Sequence, residues 1–402
     1  MKQKVVIIGH GFTSRLSVIR AVGSIGCEVT VIVMTGYRKF TKILNTSKPI
    51  DCYSKYVKNI YYCYGKDKEG LIHTLIDKCT DQHQKVVIIP DSDFSAAVID
   101  DEQERLKNSF LFPHVHHTPG AVRFWMNKEN QKELAEKMGL NYAKSCSITI
   151  TNGDYVLPSG IHYPCFTKPQ ITLKGGKQYF RRCNTKEELS ALLDFVGTRE
   201  DATILAEQYI DIHQEYALLG FSDGKEVVVP AIVKFIRNCK SHFGIAMQGQ
   251  VMPTTGFENL INAFKQYVLE TGFVGLFDID FFWDGTTYYF GELNLRFGGS
   301  GYAVTKMGVN LPGMLVKSLC GESIADMPKA ITGTATYVNE RMCMDDWIYG
   351  HISTKEYEDI ITSSNISFIK DDIDPGPQRF FSSSKHRAIS QLKKIYKKLS
   401  KI

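Results

Sequence analysis

Oxygen-bearing side chains recur at every second position in two neighbouring segments of the sequence, between residues 275 and 299. Asp278 and Asp280 stand two residues apart in the first segment, and Glu292 and Asn294 stand two residues apart in the second. Side chains two residues apart on a strand share one face, so an antiparallel hairpin would bring all four together. Hard oxygen ligands at this density suit Mg²⁺, which is typically held by one or two carboxylates plus nucleotide phosphates.

The same hairpin has a plainer interpretation, in which its polar residues form the solvated face of an ordinary two-sided sheet. The residues that follow favour a site, because Arg296 is succeeded by Phe-Gly-Gly and a glycine run has no packing use on a solvated strand. An arginine at this point could bind a phosphate through two parallel hydrogen bonds. We therefore predict a metal site at Asp280, Glu292 and Asn294, with Arg296 beside it.

The hairpin is similar to the metal-binding hairpin of the ATP-grasp superfamily, and residues 292–296 are close to the Glu-x-Asn-x-Arg pattern of its carboxylate–amine ligases. The resemblance extends to D-aspartate-ligase-like and carbamoyl-phosphate-synthase-like members and covers about residues 1–330. One departure is Leu295, where many members have a proline that stiffens the turn. The resemblance implies two lysines at the ATP phosphates, a glycine-rich loop over them, a hinge strand at the adenine and an acid at the ribose.

Two lysines match the ATP lysines of the family. Lys128 begins a charged helix that runs to Met138, and taken alone it would be a solvated surface lysine. Lys168 ends an apolar strand, where burial of its charge would be costly without an anionic partner. The resemblance gives both lysines contacts with ATP phosphates, and it gives Lys168 and Arg296 a catalytic role in neutralising the transferred phosphoryl group.

A glycine pair follows Lys168 in the sequence. The loop that contains Gly175, Gly176 and Lys177 resembles the family's loop over the ATP phosphates. Glycine there would let backbone N–H groups close on phosphate oxygens. The position of this loop, directly after the second lysine, favours that role over an ordinary turn.

The apolar strand that starts at Ile204 resembles the family's hinge strand and ends in Glu207, which would lie near the adenine amino group. The residues after it would complete the adenine site: Gln208, Tyr209 and Ile210. Glu215 falls where the family's ribose-binding acid lies. A cross-strand salt bridge is an equal alternative for Glu215.

The start of the chain reads as a strand, a glycine-containing turn, a helix and a second strand, with strands at residues 5–8 and 29–33. A later strand at residues 86–89 is followed by Asp91 and Asp93, which would face a crevice at the carboxyl ends of the strands. We predict an α/β fold in four parts: a Rossmann-like domain at 1–118, an ATP-grasp domain of α+β character at 119–330, a small C-terminal subdomain at 331–384 and a basic tail at 385–402.

Two other functions compete with a ligase. Gly9 and Gly11 partly resemble a dinucleotide fingerprint, which would indicate an NAD-dependent oxidoreductase. The fingerprint lacks its third glycine, and the second strand ends at Thr35 without the acid that binds the ribose hydroxyls. A non-catalytic nucleotide-binding module is the other alternative, and the retained metal and phosphate residues argue against it.

The composition is that of an ordinary globular protein, with 402 residues of which 43% are hydrophobic and 23% charged. No apolar run approaches the ~20 residues of a membrane-spanning helix, and the N-terminus lacks the features of a signal peptide. We therefore predict a cytoplasmic protein with no transmembrane segment. The ten cysteines contain no CxxC pair, which argues against a zinc site and against a disulfide scaffold.

The formal net charge of +5 arises in residues 385–402, which carry seven lysines or arginines and no acid. The remainder of the chain is slightly acidic, so nucleic-acid binding is not predicted. The tail has apolar residues at helical spacing and could touch an anionic membrane surface as a peripheral helix. A solvated helix, or one docked on the body of the protein, is an equal alternative.

The resemblance implies an ADP-forming ligase that uses ATP and Mg²⁺, or Mn²⁺, to convert a small-molecule carboxylate to an acylphosphate. An amine or a similar nucleophile, such as a thiol, would then attack the acylphosphate. The similarity leans toward amino-acid or cell-surface-precursor substrates. A homodimer is one expectation, because dimers are common in the family.

Overall fold

The computed structural model describes residues 2–10, 12–35, 48–171, 179–242 and 244–383. Its helices are α1 (Thr13–Ser24), α2 (Lys68–Lys78), α3 (Asp93–Asp101), α4 (Gln103–Leu106), α5 (Ala121–Trp125), α6 (Lys128–Lys137), α7 (Lys186–Gly197), α8 (Glu258–Thr271), α9 (Gly301–Lys306), α10 (Leu311–Leu319), α11 (Glu340–Ile348), α12 (Thr354–Ser363) and α13 (Gly376–Phe381). None of these helices has both the length and the apolarity needed to cross a membrane.

The strands are β1 (Lys4–Gly9), β2 (Glu28–Thr35), β3 (Val57–Tyr64), β4 (Val86–Pro90), β5 (Phe110–Leu111), β6 (His114–Val115), β7 (Ser145–Ile150), β8 (Cys165–Pro169), β9 (Arg181–Cys183), β10 (Ala202–Gln208), β11 (Gln214–Asp223), β12 (Val227–Val228), β13 (Ile232–Asn238), β14 (Ala246–Met252), β15 (Phe273–Trp283), β16 (Tyr288–Asn294), β17 (Ala335–Val338) and β18 (Ile366–Ser367). Four sets of residues singled out in the sequence lie outside the described ranges: Gly11, the pair Gly175 and Gly176, Lys177, and the basic tail.

The first sheet is parallel and has the strand order β3-β2-β1-β4-β5. Its two central strands, β1 and β4, are continuous apolar runs that are buried, as expected for strands covered on both faces. The side chains of α1 pack on one face of the sheet, and those of α2 and α3 pack on the other. The predicted strand–helix–strand opening and the strand at residues 86–89 are therefore confirmed.

The second sheet is small and antiparallel, with the order β7-β10-β8-β9. Helix α7 covers it with a stripe of leucines and a valine at helical spacing, and these pack on Ile148 and Ile204 of the sheet. The face of the sheet away from α7 carries polar side chains near the ends of β8 and β10. Lys168 lies near the end of β8, and Glu207 lies near the end of β10.

The third sheet is the largest, and its main path runs β16-β15-β11-β13-β14-β17-β18. Strands β15 and β16 form the predicted antiparallel hairpin, in which Asp278 is opposite Asn294 and Asp280 is opposite Glu292. Strand β15 also pairs along its length with β11, from Val274 to Trp283. The hairpin is therefore held on one side by a long central strand.

The C-terminal segment belongs to this same sheet. Strand β17 pairs with β14, with Val338 opposite Gln248, and β18 pairs with β17. The predicted division of the chain at residues 331 and 384 stays a prediction. The segment also reaches the first sheet's helices, because the buried guanidinium of Arg20 in α1 binds Asp374 at 2.8 Å. All ten cysteines are free thiols. The three sheets and the C-terminal segment thus meet around one central region.

Candidate active site

Two cavities lie side by side in that central region. The hinge cavity, of about 420 Å³, lies between the second and third sheets and is lined by the residues that follow β10. The strand-end cavity, of about 590 Å³, lies between the carboxyl ends of β1 and β4 and the third sheet. Asp280 and Glu292 line both cavities. The two carboxylates therefore stand at the junction where molecules bound in the two cavities would meet.

The hinge cavity collects the residues that the sequence assigned to the nucleotide. Of the residues that were assigned to the nucleotide and that the structure describes, only Lys128 does not line the cavity. The residues that do line it are Lys168, Glu207, Gln208, Tyr209, Ile210 and Glu215. Aromatic side chains, including Phe166 and Phe180, supply apolar surface beside these polar groups. A flat apolar slot with a few convergent polar groups is the usual form of a small-molecule site.

A buried cluster of two lysines and a glutamate stands at one end of the hinge cavity. One carboxylate oxygen of Glu207 accepts from Lys168 at 2.8 Å and also from Lys132. Burial lowers the pKa of Lys132 to about 8, against the opposing effect of Glu207. Burial alone would raise the pKa of Glu207, but Lys168 and Lys132 lower it overall. The carboxylate of Glu207 and the two ammonium groups therefore hold one another in place in a buried site.

Lys132 is a member of this cluster that was not predicted from the sequence. The signal for it was its position four residues after Lys128 in α6, because residues at this spacing share one face of a helix. That face does not face solvent as the charged composition of α6 suggested. Lys132 and Lys128 are 7% and 4% exposed. The interpretation of Lys128 as a solvated surface lysine is therefore wrong.

A glutamine side chain fixes helix α6 against the hairpin of β15 and β16. Gln131 donates to the carbonyl of Leu293 at 2.8 Å and accepts from the N–H of the same residue at 2.9 Å. The helix begins where Asn127 accepts from the N–H of Glu129, a normal N-cap. These bonds bring the ammonium of Lys128 to 2.8 Å from a carboxylate oxygen of Glu292.

Asp280, Glu292 and Asn294 form the predicted metal set at the hairpin. Asn294 donates to a carboxylate oxygen of Asp280 at 3.4 Å. Burial and the neighbouring carboxylates of Asp278 and Glu292 raise the pKa of Asp280 well above its ordinary value. Burial opposes ionisation of Glu292 as well, but Lys128, Lys168 and Arg296 lower the pKa of Glu292 to about 2.

The donor set fits a hard cation that takes part of its coordination from phosphates. Crowded carboxylates such as Asp280 and Glu292 repel each other unless a positive charge lies between them, and all of the available donor atoms are oxygens. Within the described ranges no three His, Cys, Asp or Glu side chains are grouped to hold a metal ion. Two carboxylates and an amide would leave the remaining positions of Mg²⁺ to nucleotide phosphates and water.

Arg296 links the hairpin to the first sheet. Its Nε lies 2.8 Å from Oδ1 of Asp93, at the start of α3, and its terminal nitrogen donates to Asn294 at 3.3 Å. Burial would lower the pKa of Arg296, but Asp93 and Asp278 raise it overall. Leu295, at the position where many family members have proline, is buried in a core cluster with Leu293. Packing at Leu295 therefore anchors the residue that precedes Arg296.

Glu215 lines the hinge cavity on β11 and accepts from the side-chain amide of Asn238 at 2.6 Å. Its partner on the adjacent strand is thus a neutral amide, and no ion pair of Glu215 occurs among the residues that the structure describes. A neutral neighbour leaves the carboxylate's second oxygen available to a hydroxyl donor. The ribose assignment of Glu215 stays a prediction.

The strand-end cavity is unusually acidic. Among the described residues that line it are five carboxylates and one cation, Arg296. Burial raises the pKa of Asp91 to about 7, although Arg15 opposes this shift, and burial also raises the pKa of Asp278 to about 7. The sequence predicts Asp91 at this crevice and Asp278 on the hairpin face, but it indicates no role for either residue.

No protein-family model matches this chain. The carbamoyl phosphate synthase large chain from Halomonas eurihalina is 22% identical over 218 residues, which are 53% of this chain and 20% of that protein. The chain thus spans about a fifth of the length of the curated relatives it matches.

Solved structures resemble the chain over most of its length. The L-amino acid ligase from Bacillus licheniformis has a TM-score of 0.58 at 18% identity, covering 83% of this chain and 79% of that one. The biotin carboxylase domain of 2-oxoglutarate carboxylase from Hydrogenobacter thermophilus, solved with MgADP, ADP and bicarbonate, has a TM-score of 0.63 at 17% identity and covers 84% and 74%. Both are ATP-grasp ligases. The chain therefore has the ATP-grasp fold, and the predicted α/β class is confirmed.

Proposed function

We propose that the chain is an ATP-dependent, ADP-forming ligase that converts a small-molecule carboxylate to an acylphosphate and couples it to an amine. The observation that carries this proposal is the junction between the two cavities. Asp280 and Glu292 line both cavities, so a nucleotide phosphate arriving from one side and a substrate arriving from the other would meet at the same carboxylates. The nucleotide and metal complexes of the structural neighbour give the proposal further support.

ATP would occupy the hinge cavity with its adenine among Gln208, Tyr209 and Ile210 and its ribose near Glu215. Its phosphates would then extend toward Lys168, which Glu207 already holds in position, and toward Lys128 beside Glu292. Both ammonium groups are preorganised, so little reorganisation is needed when phosphate oxygens arrive. Gly175, Gly176 and Lys177 come soon after Lys168 in the chain, separated from it by residues 169–174, and are proposed to close over the phosphates.

Asp280, Glu292 and Asn294 would hold Mg²⁺ or Mn²⁺, which when bound supplies positive charge at the phosphate oxygens. The three side chains already converge at the hairpin. Their proposed role is to fix the position at which the terminal phosphate lies. Lys128, in contact with Glu292, would keep that carboxylate ionised and ready to bind.

The proposed reaction has two steps. An oxygen of the substrate carboxylate attacks the γ-phosphorus of ATP, the bond from that phosphorus to the bridging oxygen breaks, and ADP leaves. The amine then attacks the acyl carbon with its lone pair, the bond from carbon to the phosphate oxygen breaks, and inorganic phosphate leaves as the nitrogen loses its proton. Lys168 and Arg296 would stabilise the charge on the phosphoryl oxygens during the first step.

The oxidoreductase alternative is disfavoured by the charge of the strand-end cavity. A dinucleotide would place its pyrophosphate at the turn after β1, where backbone N–H groups normally attract it. Here five carboxylates line that cavity, and Arg296, the one cation among its described lining residues, is engaged with Asp93. The pyrophosphate, which carries two negative charges, would be repelled by the carboxylates of the strand-end cavity.

The test is ADP release from Mg–ATP across a panel of D- and L-amino acids and small carboxylates, with hydroxylamine present to trap the acylphosphate as a hydroxamate. We expect one carboxylate to stimulate ADP release and to yield its hydroxamate. Glu292→Gln should lower this rate by about 100-fold or more, because it removes a charged metal ligand. Glu226→Gln is the matched control, since Glu226 is a surface acid paired with Lys329.

Two results would contradict parts of the proposal. ATP binding with no stimulated ADP release across the panel would favour the non-catalytic nucleotide-binding module. Equal rates for Glu292→Gln and the wild-type protein would refute the metal assignment and leave the ligase proposal without its central feature.

A further inference from the structure

The strand-end cavity carries more negative charge than the proposed nucleotide and metal chemistry uses. Of its five carboxylates, Asp280 and Glu292 belong to the metal set, and Asp93 is paired with Arg296. Two acids remain, Asp91 and Asp278. The nearby buried cation Arg15 donates its hydrogen bonds to both oxygens of Asp51, so it acts on Asp91 only through space.

Asp91 is 4% exposed, and no group in the described part of the chain donates a hydrogen bond of normal geometry to either of its carboxylate oxygens, although Ser14 lies near enough to favour the ionised form. Its position is fixed by its own backbone N–H, which donates to the carbonyl of Ile8 at 2.7 Å. A Cβ on Gly9 would lie 2.8 Å from the Cβ of Asp91, so glycine is needed to let β1 pass this side chain. The backbone of β1 and its pairing with Asp91 therefore fix the place of this carboxylate in the cavity.

Asp278 approaches the same cavity from the third sheet. It is 9% exposed, and its Oδ1 also has no hydrogen-bond partner among the residues described. A Cβ on Gly298 would lie 2.2 Å from its other oxygen, Oδ2, so this glycine gives the carboxylate its place. Burial of a carboxylate without donors is costly. Two such groups facing one cavity indicate a ligand that carries both donors and positive charge.

We propose that Asp91 and Asp278 bind the ammonium group of the amine nucleophile in the strand-end cavity, and that apolar side chains of the same cavity contact the rest of that molecule. The apolar side chains that line this cavity include Phe12, Phe235, Met342 and Phe368. The inference rests on the proposed ligase function and narrows its substrate class. The nucleophile is a primary amine on an apolar body. A nucleophile that bears a phosphate or two carboxylates is excluded, because Asp91 and Asp278 would repel it.

The amine site lies next to the proposed site of acylphosphate formation. The strand-end cavity is bounded by Asp280 and Glu292 at the junction with the hinge cavity. The bound ammonium group would first pass one proton to the carboxylate of Asp91 or Asp278, and the lone pair freed on its nitrogen would then approach the acyl group from the strand-end cavity, away from the nucleotide. This arrangement keeps the nucleophile apart from the leaving ADP.

The test compares benzylamine with benzyl alcohol, which share one apolar body and differ in charge. Binding is measured with the full-length protein in complex with Mg–ADP by saturation-transfer NMR titration, so no turnover is required. We expect benzylamine to bind at least about tenfold more tightly than benzyl alcohol, because a hydrogen bond between charged groups in a buried site is stronger than a neutral one. Equal affinities would overturn the proposal.

Two variants locate the effect. Asp91→Asn keeps the shape of the side chain and should remove most of the preference for benzylamine while leaving the affinity for benzyl alcohol unchanged. Asp81→Asn is the matched control, since Asp81 lies before β4, at the other end of that strand from Asp91, and pairs with Lys4 at 2.6 Å. A preference that survives in Asp91→Asn would overturn the assignment. If Asp91→Asn failed to fold, the wild-type comparison would still decide the charge preference.

Failure of this inference is distinguishable from failure of the ligase function. Hydroxamate formation without any preference for benzylamine would retain the ligase and refute the amine site. A tenfold preference for benzylamine in a protein that forms no hydroxamate would refute the ligase, and with it the description of the bound amine as a nucleophile.

Discussion

The cluster of Lys132, Lys168 and Glu207 offers a sharp test of the hinge cavity. Replacing Glu207 with Gln keeps the size of the side chain and removes the anion shared by two buried ammonium groups. Both lysines would then have to remain charged without their partner or lose a proton. We expect the nucleotide-free variant to be less stable than the wild-type protein, and phosphates to recover part of the loss.

The magnitude follows from the geometry. At the 2.8 Å separation of Lys168 and Glu207, and with an effective dielectric constant of about 20, the attraction is roughly 6 kcal/mol before desolvation is counted. Desolvation offsets much of this, and removal of one partner from a buried ion pair typically costs about 3–5 kcal/mol. Deprotonation limits the loss here, because the pKa of Lys132 is already lowered to about 8. We therefore expect a loss of about 3 kcal/mol at pH 7, and less at pH 9, where Lys132 is mostly neutral in the wild-type protein too.

The assay is thermal unfolding followed by tryptophan fluorescence at pH 7 and pH 9, with and without Mg–ATP. A loss of about 3 kcal/mol corresponds to a fall in Tm on the order of 5 °C. Glu226→Gln, which breaks an exposed pair with Lys329, should change Tm by no more than about 1 °C. A Glu207→Gln protein that matches this control at pH 7 would refute the buried ion cluster. A loss of stability that Mg–ATP does not reduce would refute the contact of these lysines with phosphates.

Three further predictions concern the junction and the strand-end cavity. Gly298→Ala should lower hydroxamate formation and destabilise the protein by about 1–3 kcal/mol, because its Cβ would lie 2.2 Å from Oδ2 of Asp278; a stable and fully active variant, judged by Tm and turnover, would contradict this contact. Burial raises the pKa of Asp91 to about 7, whereas the unfolded chain keeps an ordinary pKa of about 4, so the stability of the wild-type protein falls as the pH rises from about 4 to about 7 and is level above that. Asp91→Asn should therefore gain about 1–3 kcal/mol over wild type between pH 5 and pH 8; urea unfolding at both values measures this, and no gain would mean an ordinary pKa. Chelation with EDTA should abolish ADP release and added Mn²⁺ should restore it, whereas release that continues in EDTA would exclude the metal role of Asp280 and Glu292.

The hairpin was predictable because its information is local. A period of two places Asp278 and Asp280 on one face whatever surrounds the strand, and the returning strand fixes the partners by register. The order of motifs along the chain then gave the ATP-grasp fold. Nothing in this inference required knowledge of distant contacts.

Burial along α6 was not predictable in the same way. Its sequence is almost entirely polar, so Lys128 and Lys132 looked like members of a solvated helix. Their burial arises because Gln131 binds the backbone at Leu293, a contact across 162 positions of the chain. The pairing of β17 with β14 is equally long in range, and it is the reason that the C-terminal segment joins the third sheet. Contacts of this kind leave no periodic trace in the sequence.

The two acids that flank β4 show what sequence alone leaves open about a site. Asp81 and Asp91 both lie in polar turns next to the same apolar strand, and although Asp91 is at the carboxyl end that faces the crevice, nothing in the local residue pattern indicates that it is the buried one. The structure gives Asp81 a lysine and backbone donors, whereas Asp91 is buried against Gly9 without a donor of normal geometry. A fold retains an unfavourable group of this kind only where the surrounding core over-determines its position. A cation that binds Asp91 in the strand-end cavity would recover that free energy. Of the two acids, Asp91 therefore stabilises the unliganded protein less and is expected to contribute more to binding.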